Sequence, residues 1–473
     1  MTPAALRAAL TACLGEANVL TGADAQPYLT DWRQAVTGRA MAVLRPGDTG
    51  EVAQVVRLCA AAGVPIVPQG GNTGQVAAAT PDVSGSAVVL SLARMNRVRA
   101  LDLDNDTITV EAGCVLQSVQ ASARQAGRLF PLSLGAQGSC TIGGNLATNA
   151  GGTQVLRYGN ARELALGLEV VTPQGEIWHG LRSLRKDNTG YDLRDLYIGS
   201  EGTLGIITAA VLKVYPLPVA QRTALIAVAS LEQALQLLQR ARAGFGAGLT
   251  AFEVMSAACL RDVVQAFPQQ RLPFADLPAD AWCALLELSD SEDETHAQTR
   301  LEAVLAAALE AGEALDAAVS VSGAQSAAFW HLREGITLAL AKAGACVKHD
   351  ISLPASRIPA FVRATDRALA TAFPGVRMRV FGHLGDGNLH YNLLPTQDVP
   401  ESAIQRLVHD RVHEAGGSIS AEQGIGQRRV LDLERYKSPV ELDLMRRIKH
   451  ALDPQGLMNP GKVLSASADR ALA

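Results

Sequence analysis

Aromatic residues, net charge, paired cysteines and long apolar runs are all scarce in this sequence, and each shortage excludes a class of protein. Phe, Tyr and Trp make up 4 % of the 473 residues, so the cores must rest on Ala, Leu, Val and Ile within a hydrophobic total of 48 %. The formal charge is −4 with His neutral. That argues against a surface built for a polyanion and favours a small-molecule ligand over nucleic acid. The seven cysteines (Cys13, Cys59, Cys114, Cys140, Cys259, Cys283 and Cys346) are scattered and include no C-x-x-C pair. This is a pattern of reduced thiols, not of a disulfide frame or a zinc knuckle. No apolar stretch reaches the roughly 18 residues of a membrane span, so no transmembrane segment is expected. Met1 to Leu20 holds one Arg and one Glu and lacks the basic start and apolar run of a secretory signal. A cytoplasmic enzyme is expected, with a peripheral membrane contact left open.

A single core stops growing at roughly 250–300 residues, so this length implies at least two domains. Residues 1–40 read as helical, with Leu6, Leu10 and Leu14 four apart. A strand at 41–44 is followed by a turn and by a helix from Thr49, read as its N-cap, to Ala62, with Val52, Val55, Val56 and Cys59 inward. Strands are expected near 64–68, 87–92, 107–111, 166–172 and 205–214. Tyr215-Pro216-Leu217-Pro218 marks a boundary, because spaced prolines stop a strand. An α+β pattern follows, with strands at 224–228 and 282–288, helices at 230–244 and up to 311, and a glycine-rich segment from Arg377 to Leu394. The last twenty residues, small and polar, are expected to fray.

Three segments are too rich in Gly and Asn for ordinary core: Pro68 to Gly74, Gly135 to Gly152 and Gly199 to Gly205. Successive N–H groups without shielding side chains form an anion cradle, and a diphosphate is its natural guest. Any one segment alone reads equally well as tight turns; three together favour a nucleotide. Two other motifs fall short. Gly456 to Val463 nearly matches the phosphate loop G-x-x-x-x-G-K-[ST], but Val463 replaces the metal-binding hydroxyl and no helix is evident after Lys462. Gly385-Asp386-Gly387 lacks the third glycine of a dinucleotide fingerprint, so a Rossmann NAD site is unsupported.

Pro68-Gln69-Gly70-Gly71-Asn72-Thr73-Gly74 resembles the pyrophosphate loop of FAD domains of the vanillyl-alcohol-oxidase type. The stretch from Gly138 to Gly152 (GSCTIGGNLATNAGG) and the stretch from Gly199 to Ile207 (GSEGTLGII) resemble that domain's second and third FAD segments. The chain is most similar to the D-lactate and D-2-hydroxyglutarate dehydrogenases, over nearly its whole length. The resemblance implies an α+β protein: a two-subdomain PCMH-type FAD-binding domain over 1–216 (core from about 38), an α+β cap or substrate domain over 217–455, and a C-terminal segment, 456–473, packing back on the FAD domain. It implies FAD contacts at Pro68, Gln69, Gly70, Gly71, Asn72, Thr73, Gly74, Gly138, Ser139, Thr141, Gly143, Gly144, Asn145, Thr148, Asn149, Gly151, Glu201, Gly205, Ile206, Ile207 and Asn459. Covalent members often use a His in the first loop; this loop has none, so noncovalent FAD is expected.

In Phe381-Gly382-His383-Leu384-Gly385-Asp386-Gly387-Asn388-Leu389-His390-Tyr391-Asn392, two histidines flank a Gly-Asp-Gly turn. A hairpin would bring both imidazoles near one point, with His390 and Asn392 on one face and Leu389 and Tyr391 on the other. Glu422 lies downstream among small residues. Two His and one carboxylate make a three-ligand site with open positions, as a catalytic metal needs; either His alone would read as an ordinary structural residue. The resemblance assigns His383, His390 and Glu422 to a divalent ion, zinc for preference, and places Asn392 beside the substrate. Many relatives have His directly after the ligating Glu, as a candidate base. Here Gln423 stands there, and an amide cannot take a proton near neutral pH. Arg333 and Thr337 share a helix face, and with Lys348 they match the substrate contacts of the D-2-hydroxyglutarate enzymes; for an arbitrary Arg and Lys, a solvated surface is the plainer reading.

The expected reaction is FAD- and metal-dependent oxidation of a D-2-hydroxy acid, best D-2-hydroxyglutarate or D-malate, by hydride transfer to flavin N5. D-lactate or glycolate oxidation, and a flavin-binding subunit without its own turnover, are the alternatives. The electron acceptor (flavoprotein, quinone or cytochrome) is open, and a homodimer is compatible with the sequence.

Overall fold

The computed structural model describes residues 1–395 and 399–465; of the C-terminal stretch expected to fray, 466–473 lies outside the described residues. The chain divides into two compact units, one of residues 1–151, 159–217 and 422 onward, the other of 152–158 and 218–421. The first boundary falls beside the proline-marked segment. The second falls at 421/422, earlier than the expected 455/456, so the stretch that follows Glu422 belongs to the first unit.

The first unit holds a four-stranded sheet, a five-stranded sheet and a two-stranded pair. In the four-stranded sheet, Val43–Leu44, Val88–Ser91 and Ile66–Gln69 run parallel, with Val19–Leu20 antiparallel at the edge. The Thr49–Ala62 helix covers this sheet because Val52, Val55, Val56 and Cys59 recur on one face and are fully buried with Leu6, Leu10 and Leu14. Its N-cap is Asp48, one residue before the expected Thr49: the Asp48 side chain accepts the Glu51 N–H at 2.9 Å. Helix accounts for only part of residues 1–40, over Pro3–Leu14, with short 3-10 turns after it.

The five-stranded sheet is antiparallel, in the order Val98–Asp102, Thr107–Glu111, Ile206–Lys213, Ala165–Val171 and Ile177–Gly180. Tyr215–Pro216 pairs with Arg128–Leu129 before the chain leaves this unit. The C-terminal segment returns beside the four-stranded sheet: Met458 bridges Ile66 in parallel, and Asn459 N–H donates to the Ile66 carbonyl at 2.8 Å.

The second unit is a seven-stranded antiparallel sheet. In spatial order its strands are Asp316–Val319, Ala220–Val228, Trp282–Asp290, Leu249–Ser256, Arg377–Gly382, Asn388–Leu394 and Val347–Ser352. The helices Ala257–Ala266 and Gly323–Lys342 pack on one face around Met255, Leu260, Val263, Leu285, Leu332, Ile336 and Phe381. Leu249–Ser256 is buried along nearly its whole length, so it shows none of the alternation that marks a half-exposed strand.

Candidate active site

The chemistry-bearing hairpin is the junction of Arg377–Gly382 and Asn388–Leu394. Residues 383–387 close it, with the His383 carbonyl accepting from the N–H groups of Asp386, Gly387 and Asn388. Gly387, at φ +86°, meets the requirement for glycine twice over, since a Cβ there would lie 2.2 Å from the Leu353 carbonyl oxygen. Register then fixes the faces. Asp350 lies opposite His390 and Lys348 opposite Asn392 on one side; Phe381 and Arg379 oppose the same two residues on the other. Residues directly paired across strands share a face, so His390, Asn392, Lys348 and Asp350 form one patch. Leu389 and Tyr391 point the other way and are fully buried, Tyr391 donating its hydroxyl to Asp366.

His383 and His390 stack edge to face, with ring centroids 5.6 Å apart. Glu422 follows directly on Ala421, whose N–H donates to the Asp350 carbonyl at 3.2 Å; that tie to the neighbouring strand sets where the Glu422 side chain starts. One ligand atom from each of His383, His390 and Glu422 lies within 4.8 Å of the others. These three side chains form a group that could hold a metal ion. Burial comes first among the causes that push His390 down to about 3, which keeps its imidazole neutral with a lone pair to give.

Sequence reasoning missed Glu253. From the buried Leu249–Ser256 strand, its Oε1 lies 2.6 Å from His383 Nδ1, and its Oε2 accepts from Arg333 Nε at 2.8 Å. Carboxylate and guanidinium are both buried, at 1 % and 8 % side-chain exposure. Burial alone would raise the Glu253 carboxyl, but His383 and Arg333 outweigh it and hold the group at about 2. A carboxylate on one ring nitrogen fixes the tautomer and leaves the other nitrogen as a ligand, the usual arrangement behind a metal-binding histidine. The residues present therefore fit a divalent ion. The only available signal for Glu253 was an acid in an otherwise apolar run.

Arg333 lies over the Phe381 ring, its guanidinium carbon 4.7 Å from the centroid. Only its Nε is engaged; its two terminal nitrogens make no hydrogen bond to the described residues, which leaves the fork for a carboxylate. Thr337 follows one turn later, half-buried. Gln423 has a different setting: its Oε1 accepts from Arg429 Nη2 at 3.2 Å.

In the first unit, none of the five N–H groups from Gly70 to Gly74 donates to a described residue, although 70–73 are half-buried. Buried amides seldom go unpaired, so this run fits a diphosphate. Side chains around it are spent on holding the loop. Gln69 Nε2 donates to the Tyr28 and Ala79 carbonyls, and Asn72 Nδ2 to that of Thr30. The second segment packs directly against the first: a Cβ on Gly71 would lie 2.0 Å from the Ser139 carbonyl oxygen, and one on Gly70 2.3 Å from Thr141 Oγ1. Thr148 Oγ1 donates to the Gly144 carbonyl, while Asn149 Oδ1 accepts the Arg162 N–H. Both carboxylate oxygens of Glu201 accept backbone N–H groups, from Ile425 and Gly426, at 2.7 Å; they hold that loop in place. Ile206 and Ile207 are buried at the start of their strand.

The comparisons with known proteins agree with this anatomy. Residues 40–180 match the FAD binding domain, and 217–463 match the C-terminal domain of FAD linked oxidases. The mitochondrial D-2-hydroxyglutarate dehydrogenase of Arabidopsis thaliana is 38 % identical over 96 % of this chain and 80 % of its own length. The D-2-hydroxyglutarate dehydrogenase of Xanthomonas citri pv. viticola is 39 % identical over 93 % of both chains. Among solved structures, p-cresol methylhydroxylase superposes with a TM-score of 0.77 at 16 % identity, covering 98 % of this chain and 97 % of the other, which shows the PCMH-type fold. Matched along both of its units and sharing more than a third of its residues with such enzymes, the chain belongs to the FAD-linked oxidase family, as an FAD-dependent hydroxy-acid dehydrogenase.

Proposed function

We propose that the protein oxidises a D-2-hydroxy dicarboxylate, D-2-hydroxyglutarate or D-malate, to the 2-oxo acid at a site completed by a divalent ion, zinc for preference, on His383, His390 and Glu422. The observation that carries this reading is the sharing of Glu253 between His383 and Arg333. One buried carboxylate orients a candidate metal ligand and a candidate carboxylate-binding fork together, so the two act on one small molecule. Arg333 holds the distal carboxylate through its free terminal nitrogens, while Lys348 and Asn392, paired in register, face the same patch. An ion held by His383, His390 and Glu422 would supply a Lewis acid for the substrate's C1 carboxylate and C2 hydroxyl, and FAD held by the first unit would supply a two-electron acceptor for the C2 hydride. Gln423 cannot serve as the base, so the hydroxyl proton must leave by another group or with the ion's help. No disulfide joins the seven cysteines. No helix among the described residues is long and apolar enough to cross a membrane.

Mixing the purified protein anaerobically with a panel of D-2-hydroxy acids and following the flavin's visible absorbance tests this. Dicarboxylates should bleach it fastest, and chelation with confirmed metal loss should abolish the bleaching. Bleaching that survives full metal removal overturns the metal's role. Faster bleaching by D-lactate or glycolate selects the monocarboxylate reading. No bleaching by any of them leaves a flavin-binding subunit without turnover.

A further inference from the structure

Two lysines of the first unit are almost completely buried, and they are treated differently. Lys449, 5 % exposed, donates to the Thr203 carbonyl, Asp453 Oδ2 and the Met458 carbonyl at 2.6–2.8 Å. The ammonium of Lys462, 3 % exposed, makes no hydrogen bond and no ion pair with any described residue. Its nearest carboxylates, Asp82 and Glu201, lie too far away to pair and are committed elsewhere: Asp82 Oδ1 to Ser84, and Glu201 to the Ile425 and Gly426 amides. An ammonium out of water with nothing beside it is unfavourable by several kcal/mol. Burial accordingly pushes Lys462 down to about 8, against the pull of Asp82 and Glu201. A second unmet group lies three residues earlier, since Asn459 Oδ1 is buried without a partner.

The position of this segment is tightly fixed. Asn459 donates from its backbone to Ile66, at the root of the Gly70–Gly74 loop, and from Nδ2 to the carbonyls of Ala78, at the loop's far end, and of Glu201. The parallel bridge between Met458 and Ile66 sends the chain on beside the strand that leads into the loop, and Val463 N–H closes onto the Gly426 carbonyl. The loop offers five free amides but no charge: from Pro68 to Asp82 there is no Lys or Arg. Amide dipoles alone leave the two negative charges of a diphosphate uncompensated.

We propose that Lys462 is a cofactor-binding residue whose ammonium is the counter-charge for the FAD diphosphate held over the amides of Gly70 to Gly74. The segment that resembles a nucleoside-triphosphate loop would thus put its lysine to a related use, on a different fold and without the metal-binding hydroxyl. The inference rests on FAD occupying this unit. The test is titration of the full-length apoprotein with FAD, followed by flavin fluorescence, for wild type, Lys462→Met and Lys462→Arg, with ADP as a competing probe that carries the diphosphate but no flavin. Lys462→Met should raise the Kd for FAD at least tenfold, weaken ADP in proportion and flatten the salt dependence; Lys462→Arg should recover most of the affinity. The Lys462→Met apoprotein should melt at or above the wild-type temperature, because a buried unpaired charge is gone. A lowered apoprotein melting temperature with unchanged Kd means a structural lysine and overturns the proposal. So does an unchanged Kd with a lowered flavin potential, which moves the charge to the ring. Loss of FAD from Gly71→Ala alongside normal binding by Lys462→Met would sink only the lysine's role and leave the cradle intact.

Discussion

Replacing Glu253 by Gln removes one charge from a buried trio while keeping its shape. The amide can still meet one of its two partners, but Arg333 is left buried without an anion and His383 without a carboxylate on Nδ1. The Glu253 carboxyl sits at about 2 against an ordinary 4.5. That difference corresponds to about 3 kcal/mol, within the roughly 3–5 kcal/mol typical of breaking a buried pair from one side. In a unit of about two hundred residues this lowers the melting temperature by roughly 6–12 °C. Because the folded value lies below the unfolded one, the stabilisation is present in full above about pH 4.5 and is lost as the pH falls towards 2. The gap between wild type and variant should therefore stay constant from pH 7 to about 4.5 and narrow below it, for as long as the fold survives. Metal affinity should also fall about 10–100-fold, because the histidine's orienting carboxylate is gone. Thermal melts across pH and competitive metal titration measure the two effects separately. A melting shift under 2 °C with unchanged metal affinity would refute the claim that Glu253 organises this site.

Gly71→Ala forces a Cβ to 2.0 Å from the Ser139 carbonyl oxygen, so the two FAD segments must part; the variant should purify colourless or with well under half the flavin-to-protein ratio of wild type. Acid precipitation should release all the yellow colour into the supernatant, and colour kept on the pellet would contradict noncovalent FAD. Arg333→Lys keeps a charge beside Glu253 but loses the fork. It should raise KM about 10–100-fold for a dicarboxylate, the scale of charge-assisted hydrogen bonds, while hardly changing it for D-lactate; equal effects on both would remove Arg333 from the distal carboxylate.

Much of this was legible because it is local. The Thr49–Ala62 helix announces itself by apolar residues three and four apart, and the histidine hairpin by a turn whose glycines have few other uses. In the first FAD segment Gly71 is fixed as glycine because a Cβ there would lie 2.0 Å from the Ser139 carbonyl oxygen. Among the residues expected to touch FAD, Gln69, Asn72, Asn149 and Glu201 also hydrogen-bond neighbouring backbone through their side chains, which no spacing in the sequence could reveal.

The sequence by itself determined the glycine pattern and the pair of histidines, since each depends on residues within one or two turns of chain. Only the tertiary structure decided that Glu253, 130 residues before His383, would be its partner, and that one buried lysine would find three oxygens while another finds none. Both outcomes depend on how distant strands align and on which charges lose their water, and a linear pattern contains neither.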